Sequence, residues 1–388
     1  MSKSTPSSNQ RSYDRDIQSP NLSGAALYVN SLTKVYEGDE TVEAVTDVDF
    51  AINEGEFFSI IGPSGSGKST LLRMIAGFED VTDGDIVLDG VDITDWAPFN
   101  RDTNMMFQDL ALFPNYTVGG NIAYGLKQDS VPKEEREERV EDMLELVELD
   151  GYIDRDIEEL SGGEQQRVAL ARCLVNNPKV VLFDEPLASL DRKLRRSMTS
   201  ELTKIQKETG STFLYVTHNQ EVALSVSDRI VVLNDGEIEQ VGTPEDLYDI
   251  PQTVFVANFV GDINTFNQTV TFQEDNISTR QNMSDNSIKY PSSKASNSKD
   301  VQDQSVTVGI RPDDLTLSED SDDSGPFVIE GEIINRRYTG DANVFELDTE
   351  NGSLFVKSDK KLKINQQVQA SAHAEDLHIF DDEGERLA

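Results

Sequence analysis

The nine residues Gly62-Pro63-Ser64-Gly65-Ser66-Gly67-Lys68-Ser69-Thr70 constrain this chain more than any other segment. They follow the short apolar run 57–61 and precede a helical-looking run over 71–76. A buried strand that ends in a glycine loop and continues into a helix is a βα unit, so the fold must contain a parallel sheet. The glycines let successive amides turn inward on an anion, and the helix N-terminus adds partial positive charge. Lys68 can then reach the terminal phosphates of a nucleotide, and the Ser69 hydroxyl can reach Mg²⁺.

The rest of the first 247 residues agrees with that unit. The runs 180–183, 213–216 and 230–233 are short and rich in β-branched or aromatic residues, so they read as buried strands. Over 134–149 the apolar residues Val140, Met143, Leu144 and Val147 recur at helical spacing, and 194–209 reads likewise. After Pro251 the pattern changes to short strand-like pieces at 266–272, 305–310, 327–334, 343–347 and 353–356. The stretch 273–304 is dominated by Ser, Asn, Asp, Gln and Lys and reads as a long polar loop. The expected division is a tail over 1–24, an α/β domain over 25–247, and a small all-β domain over 248–388.

Two further segments bear on chemistry. The run Val180-Val181-Leu182-Phe183 ends in Asp184-Glu185. Many strands end in solvated acids, but downstream of a phosphate loop Asp184 suits Mg²⁺ and Glu185 suits the attacking water. His218 stands just past a third strand end, a position that favours contact with the γ-phosphate over a structural role. Between loop and acids lies Leu160-Ser161-Gly162-Gly163-Glu164-Gln165-Gln166-Arg167. Ser161 reads as the cap of a helix from about Glu164 to Leu174, with the Gly162 and Gly163 amides aimed at an anion. The chain's own phosphate loop leaves no room there, so the anion is a γ-phosphate held by a second copy. The bland alternative is a capped loop without a ligand.

The chain carries 72 acidic and 34 basic residues, a formal net charge of −38. Such a surface repels nucleic acid and anionic lipid, which argues against either as a direct partner. The acids are spread along the chain, so they read as a solvated surface suited to a salt-rich source rather than as a site for cations. Cys173 is the single cysteine, which excludes an internal disulfide. No run is long and apolar enough to span a bilayer.

With these residues in view, the segment 27–247 resembles the nucleotide-binding subunits of ATP-binding cassette (ABC) transporters. The resemblance implies an α/β P-loop NTPase with a helical subdomain, followed by an OB-like β-domain of the TOBE type. It implies ATP and Mg²⁺ as ligands. It also assigns roles to residues that spacing alone does not. Tyr36 would stack on adenine. Gln108 would touch Mg²⁺ and the attacking water. Gln165 belongs to the signature and Asp191 to the loop Ala188-Ser189-Leu190-Asp191, both facing nucleotide across a dimer. Glu164 stands where many members have Gln, and Asn219 where Asp is frequent.

The implied function is the ATPase of an importer, a peripheral subunit on the cytoplasmic face of the cell membrane. It would form a homodimer or pseudo-dimer with a second ABC subunit, dock on transmembrane permease subunits, and depend indirectly on an extracellular substrate-binding protein. The residues Leu112, Phe113 and Tyr116 form the expected docking groove. The segment Gly309-Ile310-Arg311-Pro312-Asp313-Asp314-Leu315 resembles the hallmark of the TOBE-type β-domain, and Val260-Gly261-Asp262-Ile263-Asn264-Thr265-Phe266-Asn267 and Asn335-Arg336-Arg337-Tyr338-Thr339-Gly340 are similar to spermidine/putrescine importers. Ferric iron, molybdate, thiamine and sugar importers share most of the architecture and stay open as cargo classes. A soluble, non-transport ABC ATPase is disfavoured by the single cassette, the lack of heptads and the charge.

Overall fold

The computed structural model describes residues 24–39, 41–188, 190–273, 276–279, 303–319, 327–340 and 342–387. The tail expected over 1–24 lies outside these residues save for Gly24. Most of the polar loop expected over 273–304 lies outside them as well.

In chain order the first unit comprises β1 (Ala25–Tyr36), β2 (Val42–Asn53), β3 (Phe57–Ile61), α1 (Lys68–Ala76), β4 (Asp83–Leu88), β5 (Val91–Asp92), β6 (Thr103–Met106), α2 (Val118–Ile122), α3 (Tyr124–Gln128), α4 (Lys133–Leu146), α5 (Gly162–Leu174), β7 (Val180–Asp184), α6 (Arg192–Thr209), β8 (Thr212–Val216), α7 (Gln220–Val226), β9 (Arg229–Asn234), β10 (Glu237–Gly242), α8 (Pro244–Asp249) and α9 (Val254–Phe259). Six strands form one sheet in the order β10-β9-β3-β8-β7-β6. All its pairings are parallel except that of β10 with β9. Every residue of β3, β7 and β8 is buried, as a parallel sheet covered on both faces requires.

Alternation along these strands divides the core. Val181, Phe183, Phe213 and Tyr215 face a layer built from α2, α4, α5 and α6. Val180, Leu182, Leu214 and Val216 face α1 and a second, antiparallel sheet ordered β2-β1-β4-β5. Sequence reading did not find β1 and β2. Their twelve-residue runs mix charged and apolar residues, and their alternation is broken by register shifts around Leu32 and Lys34.

Helices α8 and α9 belong with this first unit. Leu247, Val256 and Val260 share one apolar cluster with Ile61, Ile230 and Val232. We therefore put the division between the units after Val260, not at 247.

The second unit contains β11 (Asn264–Gln273), β12 (Asn276–Thr279), β13 (Asp303–Ile310), β14 (Thr316–Ser318), β15 (Phe327–Tyr338), β16 (Asn343–Thr349), β17 (Gly352–Ser358), β18 (Gln367–Ala372) and β19 (Leu377–Phe380). Two antiparallel sheets, β12-β11-β13-β19 and β14-β18-β15-β16-β17, enclose one core. Asn276–Thr279, read from sequence as loop, pairs with Val270–Gln273 instead. Arg311 ties this unit to the first. Its buried guanidinium donates to the carbonyls of Tyr248 (3.0 Å), Ala257 (2.7 Å), Gly261 (3.2 Å) and Asp262 (3.3 Å) and lies 4.3 Å from the Tyr248 ring centre.

Candidate active site

Parallel register gathers the chemistry-bearing segments at one edge of the large sheet. Ile60 pairs with Val216, Val216 with Asp184, and Phe183 with Met106. The residues that follow these strand ends therefore emerge side by side: Gly62 after β3, Glu185 after β7, His218 after β8 and Gln108 after β6. Ligands collect at this carboxyl edge in open α/β sheets.

The glycine loop is fitted tightly at two points. A Cβ on Gly62 would lie 2.1 Å from the Leu233 carbonyl oxygen and 2.6 Å from Ser66 Oγ. Gly67 caps α1 in the left-handed region (φ 93°), and a Cβ there would lie 2.3 Å from the Ala44 carbonyl oxygen. Within the loop, buried Lys68 donates from Nζ to the Pro63 carbonyl (2.6 Å) and to Ser66 Oγ (3.3 Å). Burial lowers its pKa, and nearby Glu185 and Asp184 oppose the shift. Pro63, Ser64 and Gly65 complete the rim of the loop, and Ser69 and Thr70 open α1.

The carboxylates lie against this loop. Ser69 Oγ donates to Asp184 Oδ1 at 3.2 Å. Burial raises the Asp184 pKa, with the Ser69 hydrogen bond and the Arg73 charge pulling the other way. Glu185 Oε2 and His218 Nδ1 are 2.9 Å apart. Glu185 has φ 48°, a left-handed backbone that costs a side-chain-bearing residue about 1–2 kcal/mol. Three hydrogen bonds hold it there: Glu185 N to the Val216 carbonyl (3.0 Å), Ala188 N to the Glu185 carbonyl (3.1 Å), and Gln166 Nε2 to the Pro186 carbonyl (2.7 Å). The strain brings the carboxylate off the strand and beside the histidine. Asn219 Oδ1 caps α7 through the Val222 amide at 3.1 Å, a task Asp performs equally well.

Gln108 is exposed in a turn closed by the Leu110 amide on the Phe107 carbonyl (2.9 Å). Beyond it Phe113 packs on Tyr116 and Tyr124, with ring centres 5.7 and 4.5 Å away. The aromatic surface extends to Phe78, whose half-exposed ring sits 5.7 Å from Phe107. Sequence reading missed Phe78. Its only signal was a large aromatic placed just past Gly77, where α1 ends and no buried face requires it.

The signature helix starts earlier than the spacing implied, at Gly162 rather than Glu164, because Ser161 and Glu164 form a capping box. Glu164 Oε2 accepts from the Ser161 amide (2.8 Å) and hydroxyl (2.6 Å), and Oε1 accepts from the Tyr152 hydroxyl (3.0 Å). These donors, the Ser161 hydroxyl foremost, lower the carboxyl pKa. Glu in place of Gln here is thus explained by its partners. A Cβ on Gly162 would meet nothing within 4 Å, so the side of the first turn it would occupy is open. Gln165 Nε2 donates instead to the Ile157 (3.1 Å) and Leu160 (3.3 Å) carbonyls and braces the loop before the cap. Asp191 Oδ1 caps α6 through the amides of Lys193 (2.9 Å) and Leu194 (3.1 Å). Its neighbour Ser189 lies outside the described residues. Tyr36 is 39% exposed at the end of β1, and β1 pairs with β2, whose Ala44 abuts Gly67. The Lys34 ammonium lies 4.8 Å from the Tyr36 ring centre, leaving the ring a cationic neighbour.

The residues fit a magnesium nucleotide. The loop leaves no room for a Cβ at Gly62 or Gly67, and a hydroxyl and a carboxylate meet at its end. Among the described residues no group of three or more His, Cys, Asp or Glu could hold a metal alone. One hydroxyl and one carboxylate, Ser69 and Asp184, suit an ion completed by phosphates and water, the usual habit of Mg²⁺. Among the described residues no helix is long and apolar enough to cross a membrane.

Comparison with known proteins is consistent along the chain. The ABC transporter family model matches residues 45–188 and the TOBE domain model residues 308–380. A spermidine/putrescine import ATP-binding protein of Haemophilus ducreyi is 40% identical over 363 residues, 93% of each chain. That of Thermobifida fusca is 45% identical over 316 residues, 81% of each chain. That of Acidothermus cellulolyticus is 48% identical over 296 residues, 74% of this chain and 77% of the other. Among solved structures, a dimeric ATP-binding cassette bound to ADP and Pi in a post-hydrolysis state is 35% identical, with a TM-score of 0.50 over 56% of this chain and 98% of that one. The cbiO1 protein of Clostridium perfringens, part of an ABC transporter complex, is 28% identical, with a TM-score of 0.54 over 61% of this chain and 93% of that one.

Proposed function

The chain belongs to the ATP-binding subunits of ABC transporters, and from that premise we propose that it hydrolyses ATP to drive a spermidine/putrescine importer. The observation that carries hydrolysis is the strained Glu185 beside His218, on the same sheet edge as Lys68 and the Ser69–Asp184 pair. The cargo rests on the relatives of 40–48% identity, whose names all specify spermidine and putrescine.

In this reading Lys68 and the loop amides hold the phosphates, and Tyr36 stacks on the base. Ser69, Gln108 and Asp184 would hold Mg²⁺, which when bound would withdraw charge from the terminal phosphates. Glu185 orients the attacking water and accepts its proton. His218, hydrogen-bonded to that carboxylate, fixes its direction and reaches the γ-phosphate. Ser161, Gly162 and Gly163 present a helix N-terminus to the γ-phosphate on a second copy, with Gln165 and Asp191 at the same seam. ATP thus joins two copies, and its hydrolysis releases them. The aromatic surface of Phe78, Phe107, Leu112, Phe113 and Tyr116 receives a permease helix at the cytoplasmic face, with the substrate-binding protein acting from outside through the permease.

The test is ATP turnover by the complex of this chain with its permease, with binding protein added empty or loaded. Spermidine-loaded protein should stimulate turnover, and Glu185→Gln should bind ATP, accumulate a dimer and stop turning over. Full turnover by Glu185→Gln would remove the catalytic assignment. Stimulation only by a binding protein loaded with another cargo would replace the polyamine.

A further inference from the structure

One arginine has no part in the site as described and yet grips it from behind. Arg172 lies near the C-terminal end of the signature helix α5. Its Nη1 donates to the Ala111 carbonyl at 2.7 Å and its Nη2 to the Leu110 carbonyl at 2.6 Å. The guanidinium lies 5.4 Å from the centre of the Phe113 ring. In a chain with 72 acidic residues, its polar partners among the described residues are backbone carbonyls.

The loop it holds is strained. Leu110 and Ala111 are successive non-glycine residues in the left-handed region, with φ 62° and 45°. Each costs about 1–2 kcal/mol, so the conformation persists only where surroundings impose it. Arg172 imposes it at one end, because a planar fork can serve two neighbouring carbonyls at once. Asn121, fully buried, imposes it at the other. It accepts from the Phe113 amide (2.8 Å) and donates to the carbonyls of Phe113 (3.1 Å), Tyr116 (3.3 Å) and Thr117 (3.1 Å). Gln108 precedes this strained pair by two residues, in the turn that ends at Leu110.

The same helix caps on Ser161 at its other end, roughly 16 Å away at 1.5 Å per residue. Val168, Ala169 and Ala171 are fully buried on its inner face, so its two ends are held in one packed element. A second tie joins it to the strand before the loop, where Asn104 Nδ2 donates to the Cys173 carbonyl at 2.8 Å.

We propose that Arg172 is a positioning residue for hydrolysis: it makes the Gln108 loop follow the signature helix, so that engagement of Ser161 with a nucleotide is transmitted to Gln108 and to the aromatic docking surface. The proposal rests on the ATPase reading above.

The experiment uses the full chain in complex with its permease, as wild type, Arg172→Gln and Arg172→Lys. It measures kcat and KM for ATP, together with amide hydrogen exchange. Arg172→Gln should lower kcat about tenfold or more while KM stays within about twofold, because the phosphate loop is untouched. Exchange over residues 108–117 should accelerate, with 57–76 unchanged. Arg172→Lys keeps the charge but serves one carbonyl, so it should recover part of both effects. Unchanged kcat, or wild-type exchange in the loop, would overturn the proposal. So would accelerated exchange across 57–76 as well, which would mark a merely structural arginine. A wild-type complex that hydrolyses no ATP would instead overturn the ATPase reading. The loop exchange still reports Arg172's hold in that case.

Discussion

Gly62 offers a test in which sterics alone decide. Its backbone is not in the left-handed region, so Gly62→Ala carries no dihedral cost. The new Cβ would lie 2.1 Å from the Leu233 carbonyl oxygen, against about 3.3 Å for the closest comfortable carbon–oxygen approach. The missing distance is roughly 1 Å. Leu233 cannot supply it, because β9 pairs with β3 on one side and β10 on the other. The root of the phosphate loop must move instead. An overpacked site of this kind costs about 2–3 kcal/mol, which for a domain of this size lowers Tm by roughly 5–10 °C. A 1 Å displacement of the loop should also cost about 100-fold in turnover. Gly65→Ala is the control. Its φ is 87° but a Cβ would meet nothing within 4 Å, so only backbone strain of about 1–2 kcal/mol applies. Gly67→Ala combines φ 93° with a 2.3 Å contact and should be the most damaging. Thermal unfolding and titration with an ATP analogue rank the three. Wild-type melting and affinity for Gly62→Ala, or Gly65→Ala as the worst variant, would refute the packing argument.

Three further outcomes are expected. Burial, with Arg386 and Arg311 nearby, holds the His378 pKa pushed down to about 4 from 6.5, and Arg386 donates to its Nδ1 at 3.1 Å. The neutral imidazole therefore stabilises the fold fully above 6.5, and up to about 3 kcal/mol is lost as pH falls from there to about 4. Urea unfolding across that window should show the slope in the wild type and lose it in His378→Gln. For Asp184 the sign reverses: its folded pKa is raised, so its contribution is full below the unfolded value near about 3.9 and falls as pH rises through the folded one. Asp184→Asn should melt higher than the wild type at neutral pH without nucleotide while losing Mg²⁺-dependent turnover; a lower melting point would show that desolvation does not dominate there. Finally, the net charge of −38 should make the fold depend on screening, so melting temperature should rise from dilute buffer to molar salt. An unchanged melting temperature would refute the reading of the acids as a salt-adapted surface.

Local patterns determined a good part of this molecule. The glycine loop with its flanking strand and helix required a βα unit. The runs at 180–183, 213–216 and 230–233 are β7, β8 and β9 to within a residue or two at each end. A strand buried on both faces has a one-dimensional signature, and so does an N-cap. Ser161 could therefore be read as a cap before Glu164 was seen to close the box. By contrast, β1 and β2 were illegible because their pattern is broken by bulges that only their mutual pairing explains. The boundary near Val260 was illegible because α9 earns its place through contact with Ile61, nearly two hundred positions earlier.

The same division runs through the site. The residues proposed to carry the chemistry were legible in the chain, Lys68 by its glycine loop and Asp184, Glu185 and His218 by their places at strand ends. How they are held was not. The strain at Glu185, the His218 contact at 2.9 Å, and the grips of Gln166 on Pro186 and Arg172 on Leu110 and Ala111 join segments far apart in the chain. An arginine in an apolar helix looks like any solvated cation until the fold supplies two carbonyls for its fork. Sequence determines which strands end in reactive groups, since that is a local property. The parallel register decides that those ends meet, and the buried helix behind them decides how firmly they are held.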